Sequence, residues 1–266
     1  MTGEAGKEQK ARPLNVPAQA RITYRRNLIR LAVCEIRFPT VLSLETEPPE
    51  SFQRAIRKSY PHFERGANVD VQPGGVERQT RYFFRSRQRD WTVLLRSHSI
   101  SLETRAYPRF RAFKQRLLEL LETARGFIDS DFFTRVGLRY VNVLPTTGEE
   151  ILGWLNRDLV APLANGVYGD VEGFFQQVAG VAGVGKYSFR HGFAQIEGTG
   201  KREYILDFDF YQEDVEAGQV GDLQGRGEVV DATAWPSPGH AQAQAGRRSA
   251  RHRRAAAKAI GRERCA

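Results

Sequence analysis

Alternation and helical periodicity run through most of this chain and fade at its two ends. Residues 30–38 set Ala32, Cys34, Ile36 and Phe38 against Leu31, Val33 and Glu35. This is the period-two signature of a half-buried strand, and Pro39 ends it. Glu47-Pro48-Pro49-Glu50-Ser51 then opens a helix. Proline at a helix start forfeits no hydrogen bond, and acids there face the positive end of the helix dipole. Phe52, Ile56 and Tyr60 fall on one face of that helix. Gly74-Gly75 marks a turn. A hairpin is predicted from 81–87 and 91–95 across Gln88-Arg89-Asp90. A further strand, 97–104, alternates His98, Ile100 and Leu102 with serines and Glu103. The strongest helical pattern is 109–125, where Phe110, Phe113, Leu117, Leu120 and Leu121 keep the 3.6-residue repeat.

The order then restarts. A strand is predicted at 134–144, a helix at 149–159, and strands at 186–196 and 202–211 joined by a turn at 198–200. Residues 167–184 fit neither period cleanly. Short turns between strands argue for an α+β domain with a mainly antiparallel sheet and packed helices. The order of elements suggests a duplicated β-α-β-β-β-α unit, halves 27–128 and 129–217, whose last helix is missing.

Charge sharpens the division. The chain has a formal net charge of +9, yet the first 26 residues carry six basic and two acidic side chains and the last 49 carry nine and four. The stretch between them holds 25 of each. A disordered leader is expected over 1–26 and a disordered basic tail over 218–266. The tail is a Gly/Ala/Arg/Gln mixture in which Leu223, Trp235 and Ile260 stand alone. With 33 arginines against seven lysines, the composition points to a GC-rich gene, in which an out-of-frame reading yields such strings. A frameshift near 218–229 is therefore expected.

No continuous apolar stretch is long enough to span a bilayer, and the first residues have no apolar signal region. The expectation is a soluble cytoplasmic protein with no membrane association. Cys34 and Cys265 are too few for a disulfide framework, and Cys34 reads as a buried structural thiol.

Several segments together resemble a sporadically distributed prokaryotic family of uncharacterised proteins. They are Cys34-Glu35-Ile36-Arg37-Phe38-Pro39, Ser101-Leu102-Glu103-Thr104 with Tyr107, Phe133-Thr134-Arg135-Val136-Gly137-Leu138-Arg139-Tyr140-Val141-Asn142, and Leu206-Asp207-Phe208-Asp209-Phe210-Tyr211. The resemblance covers roughly residues 26–213 and implies an α+β element order closed by a C-terminal amphipathic helix, where this chain departs. It carries over no catalytic residue. Its patchy distribution implies a mobile or defence-type operon, and so a protein partner encoded by an adjacent gene.

Candidate chemistry concentrates on strand faces. Glu35 with Arg37, Arg135 with Arg139, and Asp207 with Asp209 each share a face of their strand. In one sheet they would form a polar surface able to hold an anion at the arginines or a divalent cation at the aspartates. A salt-bridge lattice across neighbouring strands is the plainer reading. Arg85, Arg87 and Arg89 form a basic hairpin that either contacts nucleic-acid backbone or protects a sheet edge. His62, His98 and His191 are too scattered for metal ligands, and Gly180, Gly183, Gly185 and Lys186 lack phosphate-loop spacing and read as a flexible turn. No cofactor is expected. The favoured function is a binding module for a protein partner, with a nucleic-acid-binding protein and an enzyme with a polar sheet-face site as alternatives.

Overall fold

The computed structural model describes residues 27–72, 75–144, 155, 158–169, 171–182, 185–195 and 202–218. The expected leader, most of the expected helix at 149–159, the turn at 198–200 and the expected tail beyond Gly218 lie outside the described residues.

The element order is β1 (Ile29–Arg37), α1 (Ser43–Thr46), α2 (Glu50–Ile56), β2 (His62–Gln72), β3 (Gly75–Arg85), β4 (Trp91–Arg96), β5 (Ser99–Thr104), α3 (Phe110–Ile128), β6 (Phe132–Leu144), α4 (Ala161–Ala164), β7 (Phe174–Ala182), β8 (Gly185–Gln195) and β9 (Arg202–Glu216). The strands form one sheet in the order β2-β3-β4-β5-β1-β6-β9-β8-β7. Every neighbouring pair is antiparallel, so the α+β expectation with an antiparallel sheet holds. The order is a mirror. Outward from the central β1–β6 pair, β5, β4 and β3 on one side answer β9, β8 and β7 on the other, and β2 adds one strand beyond β3.

The helices pack on one face. Ala32, Cys34, Ile36 and Phe38 point there with Tyr82, Phe84, Val93, Leu95, Ile100 and Leu102, against Phe52 and Ile56 of α2 and Phe113, Leu117, Leu120 and Ala124 of α3. Trp91 stacks on Phe113 at 5.8 Å between ring centroids, and the Arg116 guanidinium lies 4.2 Å over its ring. Helix α3 ends at Asp129, whose N–H still reaches Arg125 O and whose left-handed backbone (φ 37°) then turns the chain out of the helix. Cys34 is buried as expected, and loss of water pushes its thiol up to about 12, which makes it inert. A smaller cluster, Leu144, Leu155, Val160, Phe193 and Tyr204, lies under the second half.

Three expectations change. Strand β2 had no clear sequence signal, because the hairpin it forms with β3 runs past the end of β4, which pairs only with Tyr82–Arg85. An edge strand that overhangs its neighbours buries little, so its pattern is weak. His98 sits in the β4–β5 turn rather than on a strand. Gly180 belongs to β7, where the Tyr187 ring of β8 lies close against it, and Gly185 and Lys186 open β8, so these residues lie on strands, while Gly183 lies outside the described residues.

A candidate binding face on the sheet

Period two sends alternate residues of β1, β6 and β9 to the face on which no described helix packs. Register brings them into rows: Val33 opposite Arg139, Glu35 opposite Gly137 and Arg37 opposite Arg135. The next strand extends the rows, with Asp209 opposite Arg139 and Tyr211 opposite Gly137. Arg190 of β8 faces Asp207. The six residues singled out from separate segments, Glu35, Arg37, Arg135, Arg139, Asp207 and Asp209, thus share one surface.

They are already bonded to one another. Glu35 is the hub on the β1 side. Arg37 Nε donates to it at 2.7 Å and Arg96 Nη1 at 3.0 Å, and Arg135 Nη1 lies 3.6 Å away. Burial alone would raise the Glu35 carboxyl, but the Arg37 hydrogen bond and the three positive charges outweigh it and hold the group below its ordinary value. Arg135 also donates to Asp209 at 2.7 Å and lies 4.4 Å over the Tyr211 ring. Its path crosses Gly137, where a Cβ would stand 2.5 Å from Nη1, so the flat course of this side chain depends on glycine. Burial raises the Asp209 carboxyl against the opposing pull of Arg135 and Arg139.

Asp207 is the second hub. Arg139 grips it through Nε and Nη2, both at 2.7 Å, and Arg190 Nη2 donates at 3.1 Å. The Asp207 side chain is 9% exposed, while those of Arg139 and Arg190 are 44% and 53% exposed. Arg190 and Arg96 complete the network and were not singled out from the sequence, although both alternate onto this face in their strands.

The lattice decides what the face can do. A divalent cation at Asp207 and Asp209 would have to displace guanidinium groups from both carboxylates. Among the described residues no group of three His, Cys, Asp or Glu side chains is placed to hold a metal. What remains available is the outer half of Arg37, Arg139 and Arg190, fixed donors for an anionic group. Beside the lattice a cavity of about 400 Å³ is lined by Leu31, Phe83, Arg85, Thr92 and Glu103, and burial raises the Glu103 carboxyl.

The basic hairpin does not form the ribbon expected of it. Strand β3 ends at Arg85, which is ion-paired with Glu64 and lies 5.1 Å over Phe83. Arg87 and Arg89 are exposed on the turn, which Ser86 closes by donating to Asp90 at 2.6 Å. Alternation fails because Arg89 takes a positive φ of 59° to make the turn. A larger cavity of about 830 Å³ lies between the β2–β3 hairpin and the β4–β5 turn, lined by Glu45, Arg65, Gln79, Thr80 and His98. It was not legible in the sequence because it depends on β2.

His191 is the functional type least visible beforehand. It is 1% exposed, bonds Tyr204 Oη through Nδ1 at 2.6 Å and stacks on Phe189 at 4.9 Å. Burial lowers its pKa, which keeps it neutral. Among the described residues no helix is long and apolar enough to cross a membrane. No family model matches this chain, and no curated protein matches it with significance.

Proposed function

We propose that this protein is a cytoplasmic prokaryotic binding module whose sheet face opposite the described helices receives an acidic surface of a protein partner. One observation carries the reading: the carboxylates Glu35, Asp207 and Asp209 are each engaged by arginine, while Arg37, Arg139 and Arg190 keep about half of each side chain exposed. Such a surface offers cationic donors held in place and keeps its carboxylates occupied, which favours recognition over proton transfer. The mirrored strand order supports the duplicated β-α-β-β-β-α reading, with the recognition face spanning the seam between the two units.

The test compares full-length wild type with a double variant, Arg37→Glu and Arg190→Glu, after circular dichroism shows equal folding. Both are used to capture partners from lysate of the source organism. The reading expects a protein retained in stoichiometric amount by wild type and lost from the variant, with loss also at high salt. Equal retention by both sinks the reading. Recovery of nuclease-sensitive material in place of protein would move the function to nucleic-acid binding, where the exposed Arg87 and Arg89 enter the argument.

A further inference from the structure

Among the described residues strand β7 ends the sheet, and nothing in its sequence guards that edge. From Gly173 to Gly185 the chain has no charged residue. Five consecutive residues of β7 are exposed, and Phe175, Val178 and Val181 are 53%, 42% and 48% exposed. An edge strand directs the N–H and C=O of alternate residues outward, ready to pair with another strand, and proteins ordinarily blunt such edges with charge. The opposite edge follows that rule. There β2 exposes Glu64 and Arg65.

We propose that β7 is a dimer interface, pairing antiparallel with β7 of a second copy of this chain to make one continuous sheet. The strand is self-complementary about Val178. A two-fold axis there sets Val178 against its own copy, Gln177 against Ala179, Gln176 against Gly180, and Phe175 of each copy against Val181 of the other. The two most exposed apolar side chains of the strand thereby cover each other, and no charge meets a like charge. The isologous arrangement uses up both β7 edges, leaving only the two charged β2 edges, so the assembly closes at two copies instead of growing into a fibre. This proposal does not depend on the arginine face, whose charged residues lie on β1, β4, β6, β8 and β9.

The test is sedimentation of the full-length protein over a concentration series, wild type against Val178→Lys. Wild type is expected to dimerise. The variant, which brings two lysines together on the axis, is expected to dissociate at least about tenfold more readily, with an unchanged melting temperature at concentrations where both proteins are monomeric. A second measurement places the axis. Val178→Cys in a Cys265→Ser background is expected to form an intermolecular disulfide under mild oxidation, and this readout also serves if the lysine variant fails to fold. A wild type that is monomeric throughout overturns the proposal. So does a dimer that survives Val178→Lys, or one that fails to cross-link through Cys at 178. A monomer that instead binds an extended peptide along β7 would assign the edge to a different partner and equally overturn it.

Discussion

The two halves of the sheet mirror one another in strand order and differ in how they are covered. In the first, α2 and α3 lie across β1, β3, β4 and β5 and bury one large apolar cluster, which runs on to Phe133, Val136 and Tyr140 of β6 and Val215 of β9. In the second, the described cluster is small and lies at one end of the strands, around Leu144, Phe193 and Tyr204, and a histidine and tyrosine share a buried hydrogen bond beside it. The outer edges differ in the same direction, charged at β2 and uncharged at β7. Among the described residues the same topology therefore carries two designs. One half has long helical cover on its sheet, and the other shows close strand packing and an edge able to pair.

The sharpest test of that packing is Gly192. An added Cβ would stand 1.8 Å from the Phe174 carbonyl oxygen, backbone that cannot rotate away, so Gly192→Ala has to separate β7 from β8. A loss of about 3–5 kcal/mol is expected by chemical denaturation. A loss below about 1 kcal/mol would show that the second half tolerates strand separation, and the comparison would fail.

Leu117→Ala probes the other design. It removes a 3%-exposed side chain of α3, and about 2–4 kcal/mol is expected from lost burial and the cavity left behind. Hydrogen exchange should show the loss across β1, β4 and β5. If β7–β9 lose protection equally, the halves fold as one unit and differ only in appearance.

Within the second half, Asp207→Asn leaves Arg139 and Arg190 without their shared charge. Both arginines are about half exposed, so solvent screening limits the cost to about 1–2 kcal/mol. The measured loss should shrink with added salt.

The buried histidine gives a pH signature. Its folded pKa lies below the unfolded value of about 6.5, so below that pH the unfolded state takes up the proton first. Stability is expected to be fully present above about 6.5 and to fall as pH drops from there. His191→Gln, which keeps a hydrogen-bonding group for Tyr204, should flatten the melting temperature between pH 7.5 and 5.5, both bounds approximate. His98, also lowered by burial, adds a slope of the same sign that remains in the variant. An unchanged slope in the variant would remove His191 from the explanation.

The smallest effect is expected at Gly137→Ala. The methyl group meets the far end of the flexible Arg135 side chain, which moves aside and loses Tyr211, at a cost of at most about 1 kcal/mol. Its value is in separating the lattice from the fold: partner capture should weaken while the melting temperature stays.

Local pattern determined much of this protein. The alternation of Cys34, Ile36 and Phe38 and the repeat of Phe113, Leu117 and Leu120 are each set by whether a residue faces water or core, and each was legible in the chain. The six polar candidates were legible too, because alternation alone puts Glu35 beside Arg37 and Asp207 beside Asp209. Tertiary structure decided the rest. Which strands are neighbours fixed that Glu35 meets Arg135 and that Asp207 meets Arg139, a matter of register between segments about 70 to 100 residues apart. It turned the glycine-containing stretch at 174–182 into an edge, because the weak pattern there reflects a strand with one partner. It also buried His191, whose surroundings come from Phe174, Phe189 and Tyr204 on three strands. Sequence specifies which side of a strand is wet. Only long-range pairing specifies what that side faces.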